Sequence, residues 1–220
     1  PAVTDADVFE VKLGDEFLMS SLFTEGEVAL ANHGLSALAA QDVTPADVVV
    51  GGLGLGYTAY AALCFPGVGS VVIVDALAPV IEWHQKGLVP LGEKLTSDSR
   101  CRFVHGNFFA MASSSGTGFD PESPERLFDA VLLDIDHSPD NLLDPGNAVF
   151  YTPAGLQRLA TFIRPNGVFA LWSNDPPTDQ FLGDLTAAFM ESKAHVVSFR
   201  NPMTGEESAS TIYVAVSPRT

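Results

Sequence analysis

Apolar and polar positions recur along this chain with two different periods. Between residues 7 and 20 the period is two: Val8, Glu10 and Lys12 interleave with Phe9, Val11 and Leu13, Gly14-Asp15 supplies a turn, and Phe17-Leu18-Met19 resumes the run. That alternation predicts a small β-hairpin. From residue 25 the spacing becomes helical, with Val28, Leu30, Ala31, Leu35 and Leu38 falling on one face. Thr24-Glu25-Gly26-Glu27 just ahead has the spelling of a capping box, so a helix is predicted over 25–39.

Beyond Thr44-Pro45-Ala46-Asp47, short β-branched runs alternate with helical segments. Strands are predicted at 47–51, 70–75, 101–105, 128–134 and 168–172, and helices at 56–64, 78–87, 107–112, 153–163 and 178–190. The clearest helix is 153–163, with Thr152 to cap it, Pro153 in its first turn and Leu156, Leu159, Ala160 and Ile163 on one face. Arg164-Pro165-Asn166-Gly167 reads as a break before the following strand. Two last strands, 194–200 and 209–217, are joined by the turn-rich Asn201-Pro202-Met203-Thr204-Gly205 and must be antiparallel to each other. This order predicts an α/β, Rossmann-like domain: a mostly parallel seven-stranded sheet with helices on both faces and an antiparallel C-terminal hairpin. Residues 1–40 would form an N-terminal β-hairpin and linking helix, and 41–220 the Rossmann-like domain. Ser113 to Arg126, small, polar and rich in glycine and proline, reads as a mobile surface loop.

At 220 residues and 46% hydrophobic content the chain can bury a sizeable core. Its net charge is −16, from 27 acidic and 11 basic side chains. So acidic a protein repels phosphate backbones and anionic membranes, which argues against nucleic acid and membrane as partners and for a cationic substrate, with solubility alone as the alternative role of the charge. No apolar run reaches the ~18 residues that a membrane span requires, and a cytoplasmic location is the expectation. Cys64 and Cys101 lie in or beside apolar runs without C-x-x-C spacing and read as buried, reduced thiols.

In an open parallel sheet, ligands bind beyond the carboxyl ends of the strands. Four predicted ends carry candidate chemistry. The first is Gly51-Gly52-Leu53-Gly54-Leu55-Gly56, whose glycines permit a tight turn and close approach of the backbone to a ligand. The second is Asp75-Ala76, an acid positioned to accept hydrogen bonds from ribose hydroxyls; as an alternative it caps the next helix. The third is Gly106-Asn107-Phe108, in which Asn107 either faces a base or caps a helix. The fourth is Asp134-Ile135-Asp136-His137, followed by Asp140, Asp144 and Tyr151. Carboxylates placed together raise each other's pKa and favour holding a cation or accepting a proton. No fixed metal-binding pattern and no G-x-S-x-G elbow appears, so neither a metal nor a serine nucleophile is expected. These features leave a dinucleotide and an adenosine thioether both open as ligand.

In series, Gly51 to Gly56, Val74-Asp75-Ala76-Leu77-Ala78-Pro79-Val80-Ile81, Arg102 to Asn107, Phe128 to Asp134, Phe150-Tyr151 and Leu159 to Gly167 resemble the spermidine synthases and their relatives. The resemblance covers about residues 45–173 and implies a class I methyltransferase fold binding S-adenosylmethionine or its decarboxylated form as cosubstrate. It implies that the Gly52–Gly56 loop supports the methionine-derived chain, that Asp75 holds the ribose, and that Asn107 faces the adenine. Asp134 matches the aspartate that helps deprotonate the attacking amine, and Asp136, His137, Asp140 and Tyr151 become candidates for binding a small amine acceptor. Aminopropyl transfer is the reaction the resemblance favours, with a homodimer as the assembly. Two departures bear on the chemistry. Gly54 and Leu55 stand where aminopropyl-transferring members carry an aspartate, and His137 stands where they carry a second catalytic-loop aspartate. A loop without that aspartate lacks a repulsive element against ordinary S-adenosylmethionine. Methyl transfer is therefore the alternative, and a non-catalytic nucleoside-binding relative a second one.

Overall fold

Seven strands form one sheet in the order β5-β4-β3-β6-β7-β9-β8 in the computed structural model, which describes residues 7–41, 43–113, 118–201 and 204–218. The strands are β3 (Ala46–Gly51), β4 (Val68–Asp75), β5 (Cys101–His105), β6 (Phe128–Leu133), β7 (Ile163–Ser173), β8 (Glu191–Arg200) and β9 (Glu207–Val216). From β5 to β7 the pairings are parallel, and β9 runs antiparallel to both of its neighbours. A separate antiparallel hairpin, β1 (Glu10–Leu13) and β2 (Glu16–Ser20), precedes the sheet.

The central strands are apolar through Val48 to Val50, Val71 to Val74 and Ala130 to Leu133 because both of their faces are covered there. Val48 and Val50 point into the layer formed by α1 (Glu25–Ala39), α2 (Tyr57–Cys64), α3 (Ala78–Gln85) and α4 (Gly92–Ser97). Val49, Val131 and Leu133 point into the opposite layer, with α5 (Phe108–Ser113), α6 (Pro153–Ala160) and α7 (Asp179–Ala188). Leu30, Ala31, Leu35 and Leu38 of α1 are buried in the first of these layers, so the linking helix is packed into the core of the sheet.

Several elements differ from the sequence reading. Helix α4 was not anticipated; at six residues it is too short to display a period, and Leu95 anchors it. The expected break at 164–167 lies inside β7. The strand begins at Ile163 opposite Phe128, loses register around Asn166, whose φ is 63°, and resumes with Val168 opposite Ala130. β8 starts three residues earlier than expected because Glu191 already pairs with Val216. The Thr24 side chain makes no cap hydrogen bond; the Thr24 N–H instead donates to Glu25, which frees Glu27. Cys64 is exposed at the end of α2, while Cys101 is half-buried and burial pushes its thiol up to about 12. Both cysteines are free. Most of the 113–118 loop, and Pro202-Met203 of the last turn, lie outside the described residues. No described helix is long and apolar enough to cross a membrane.

Candidate active site

The chain runs outward from β3 to β4 and β5, then returns to place β6 on the other side of β3. That reversal leaves a crevice beyond the carboxyl ends of β3 and β6, the usual ligand position in such a sheet. A cavity of about 760 Å³ lies there. Its walls come from the β1–β2 hairpin, the start of α1, the glycine loop, the ends of β4, β5, β6 and β7, and the β8–β9 hairpin.

The loop after β3 requires its glycines. Gly52 has φ 94°, and a Cβ there would strike the Asp134 carbonyl; Gly54 has φ 47°, and a Cβ there would strike the Met19 sulfur. Both are conformations and spaces closed to other residues. Gly51 and Gly56 do not line the cavity: Gly51 makes room for Phe108 and Leu133, and Gly56 for His84 and Leu95.

Asp75 closes the loop from the side. Its carboxylate accepts the Leu53 N–H at 2.8 Å and the Leu77 N–H at 2.7 Å, and burial raises its pKa against the pull of these backbone donors. From behind, the ring of His84 bonds the Gly54 carbonyl through Nε2 at 3.0 Å; burial lowers its pKa, so the neutral ring is the favoured form. Met19, on β2, lies over the loop, and its sulfur accepts the Leu55 N–H at 3.1 Å. The space that a longer side chain at position 54 would need is therefore filled by a thioether. Ala76, Asn107 and Phe108 continue the wall. Asn107 caps α5, with Oδ1 accepting the Ala110 N–H at 3.0 Å, which leaves its amide NH₂ as the free polar group.

Asp134 begins the fourth end. Its backbone N–H donates to the Gly51 carbonyl, and its Oδ2 accepts a hydrogen bond of 2.6 Å from the Thr58 hydroxyl. Glu27, in the first turn of α1, faces the same space, and its carbonyl lies 3.5 Å from the Thr58 hydroxyl. Burial pushes both carboxyls above the ordinary range, and the charge of Asp134 adds to the rise at Glu27. Two carboxylates without a cation thus share one corner of the cavity. Among the described residues no lysine or arginine lines it.

The remaining candidates separate. Asp136 and Tyr151 lie off the cavity and bond to each other: the Tyr151 hydroxyl donates to Asp136 at 2.8 Å, and Asp136 also accepts from the Leu143 N–H and the Asn147 amide. This buried cluster holds the 135–147 loop. His137 lines the cavity and ties that loop to the hairpin through Glu16, at 3.0 Å. Asp140 is exposed and outside the lining, whereas Asp144 lines it, exposed, with one oxygen accepting the Gly146 N–H. Sequence reasoning missed Glu27, Thr58 and Met19 as wall residues. Only Glu27 carried a signal, an acid in the first turn of an amphipathic helix, and it was read as a cap. Among the described residues no group of three or more histidines, cysteines or acids is placed to hold a metal ion.

No family model matches the chain. Its fold is that of the spermidine synthases and of a class I methyltransferase. The Thermotoga maritima spermidine synthase superposes with a TM-score of 0.66 at 18% identity. A spermidine synthase solved in complex with the transition-state analogue AdoDATO superposes with 0.68 at 16%. Each match covers 93% of this chain and 64% of the other, so the chain spans just under two thirds of their length. Human methyltransferase-like protein 13, solved with SAH, superposes with 0.54 at 18% identity, covering 87% of this chain and 79% of that one. Fold leaves the reaction open, and the site has to decide it.

Proposed function

We propose that this chain is a transferase that binds an S-adenosylmethionine-type nucleoside and moves its aminopropyl group, from the decarboxylated form, to a small amine. One observation carries the choice: Glu27, Asp75 and Asp134 face a cavity that no described lysine or arginine lines. Ordinary S-adenosylmethionine would bring a carboxylate into that field beside its ammonium, whereas the aminopropyl chain brings the ammonium alone.

The residues fit the nucleoside. The Gly52–Gly54 turn lets backbone approach the chain attached to sulfur, Asp75 retains lone pairs for ribose hydroxyls, and the free amide of Asn107 can donate to a ring nitrogen of adenine. Asp134, with its raised pKa, accepts a proton from the acceptor ammonium. The freed lone pair attacks the carbon bonded to the sulfonium, the C–S bond breaks, and its electrons remain on sulfur as a neutral thioether. Sulfonium is a good leaving group, so positioning and this single proton transfer suffice.

Methyl transfer is the second reading, favoured by Met19 occupying the space where an aspartate at position 54 would meet the aminopropyl amine. Calorimetry with S-adenosylmethionine, its decarboxylated form and methylthioadenosine separates the two. Tighter binding of the decarboxylated compound is the expected result. Preference for the carboxylated one would select methylation, and binding of none would remove the nucleoside from the site.

A further inference from the structure

Among the described residues four acids line the cavity: Glu27, Asp75, Asp134 and the exposed Asp144. Glu27, Thr58 and Asp134 sit at its inner corner, half-buried or buried. The β1–β2 and β8–β9 hairpins contribute the apolar Leu13, Phe17, Phe199 and Ala209 to its lining, together with the neutral polar Asn201, Ser208 and Ser210. Leu13 and Phe17 are 48% and 44% exposed although both line a concave surface, and among the described residues neither is packed into a hydrophobic cluster of the core. Large apolar groups gathered at the mouth of a site mark a surface that a ligand covers.

We infer that the acceptor is a primary monoamine with an apolar tail, its ammonium held by Asp134 and Glu27 and its tail laid along Leu13, Phe17 and Phe199. This rests on the transfer reading above and specifies its acceptor. A diamine would have to carry a second ammonium, with its hydration shell, to that apolar wall. The rim carboxylate available to it is Asp144, which is exposed and has one oxygen engaged by the Gly146 N–H. An exposed ion pair recovers little of such a cost. A tail, in contrast, gains about three- to fourfold in affinity for every methylene it buries.

The test is calorimetry of linear monoamines from propylamine to octylamine and of diamines of matching length, each with and without saturating methylthioadenosine. Affinity should rise about threefold per methylene, and each diamine should bind at least tenfold more weakly than the monoamine of its length. Phe17→Ser, at an exposed position, should flatten the chain-length series while leaving the circular dichroism spectrum unchanged. A flat series in the unaltered protein, or diamines that bind as tightly as monoamines, would overturn the inference. If methylthioadenosine binds and the series is flat, the transfer reading stands and this acceptor class falls. If methylthioadenosine does not bind but the series keeps its slope and its Phe17 dependence, the apolar amine site stands and the transfer reading falls.

Discussion

At the amino end of the sheet, Asp47, Asp120 and Asp129 meet Arg102, Arg126 and Arg164; at the carboxyl end, Glu27, Asp75 and Asp134 meet no described cation. Burial raises carboxyl pKa values at both ends. At Asp47, hydrogen bonds from Ser70, Arg126 and Arg164 outweigh it and leave the pKa lowered, and at Asp120 those from Arg102 and Arg126 do the same. At Glu27, Asp75 and Asp134 nothing outweighs it, and the pKa values stay raised. One strand joins the two ends: β6 begins at Phe128, beside the ion-paired Asp129, and stops one residue before Asp134, which no described cation pairs. An end that pairs its charges contributes to folding, and an end that leaves them unpaired is prepared to take a cation from outside.

Substitutions at the two ends should therefore fail in different ways. Asp134→Asn should give the largest effect, lowering turnover about 10²- to 10⁴-fold while the dissociation constant for methylthioadenosine changes little; equal losses in both would show that Asp134 is not the base. Arg164→Ala strikes the opposite end and leaves the Asp129 carboxylate, 4% exposed, with the Asp47 N–H as its hydrogen-bond donor among the described residues. Chemical denaturation should show a loss of about 2–3 kcal/mol, below the full cost of breaking a buried pair because Arg164 is partly exposed, with nucleoside binding retained. Asp75→Ala should weaken nucleoside binding by about 1–3 kcal/mol, the scale for losing hydrogen bonds to a charged group; an unchanged dissociation constant would place the ribose elsewhere.

The smallest expected effect is the sharpest test, because the two ends respond to pH with opposite sign. Asp47 and Asp120 are depressed, so the stability they contribute is full above their ordinary value of 3.8 and is lost as pH falls through their lower folded values. Glu27 and Asp134 are raised, so their contribution is full below their ordinary values of 4.5 and 3.8 and is lost as pH rises through the higher folded values. Glu27→Gln should thus stabilise the protein by about 1 kcal/mol above neutral pH and leave the acid limb of the stability curve unchanged. Asp47→Asn should weaken the protein above pH 4 and flatten the acid limb. Thermal denaturation across pH that showed the same limb altered by both variants would abolish the distinction between the two ends.

Much of the sheet was legible because its signal is local. Val48-Val49-Val50, Val71 to Val74 and Ala130 to Leu133 are apolar at every position, a pattern that only a strand covered on both faces sustains. The glycine loop and Asp75 were legible for a similar reason, since a turn and a strand end are set by adjacent residues. Asp136 and Tyr151 were harder to place. Side chains two apart point the same way only while a strand continues, and β6 stops at Leu133, so the loop turns Asp136 inward to Tyr151 and Asn147. Glu27 and Met19 could not be located from spacing at all: one is 107 residues from Asp134 and the other belongs to a hairpin outside the main sheet, and no local period encodes such a meeting.

By itself the sequence determined the order of strands and helices, the glycine turn beneath the cavity and the acids at the strand ends, because backbone preference and burial act over a few residues at a time. The tertiary structure alone decided which acids remain without a cation among the described residues. Arg126 and Arg164 lie far along the chain from Asp47 yet close on it, Thr58 and Glu27 close on Asp134 without bringing a cation, and Met19 fills the space above Gly54. Charge compensation depends on distance through space, and the fold sets that distance.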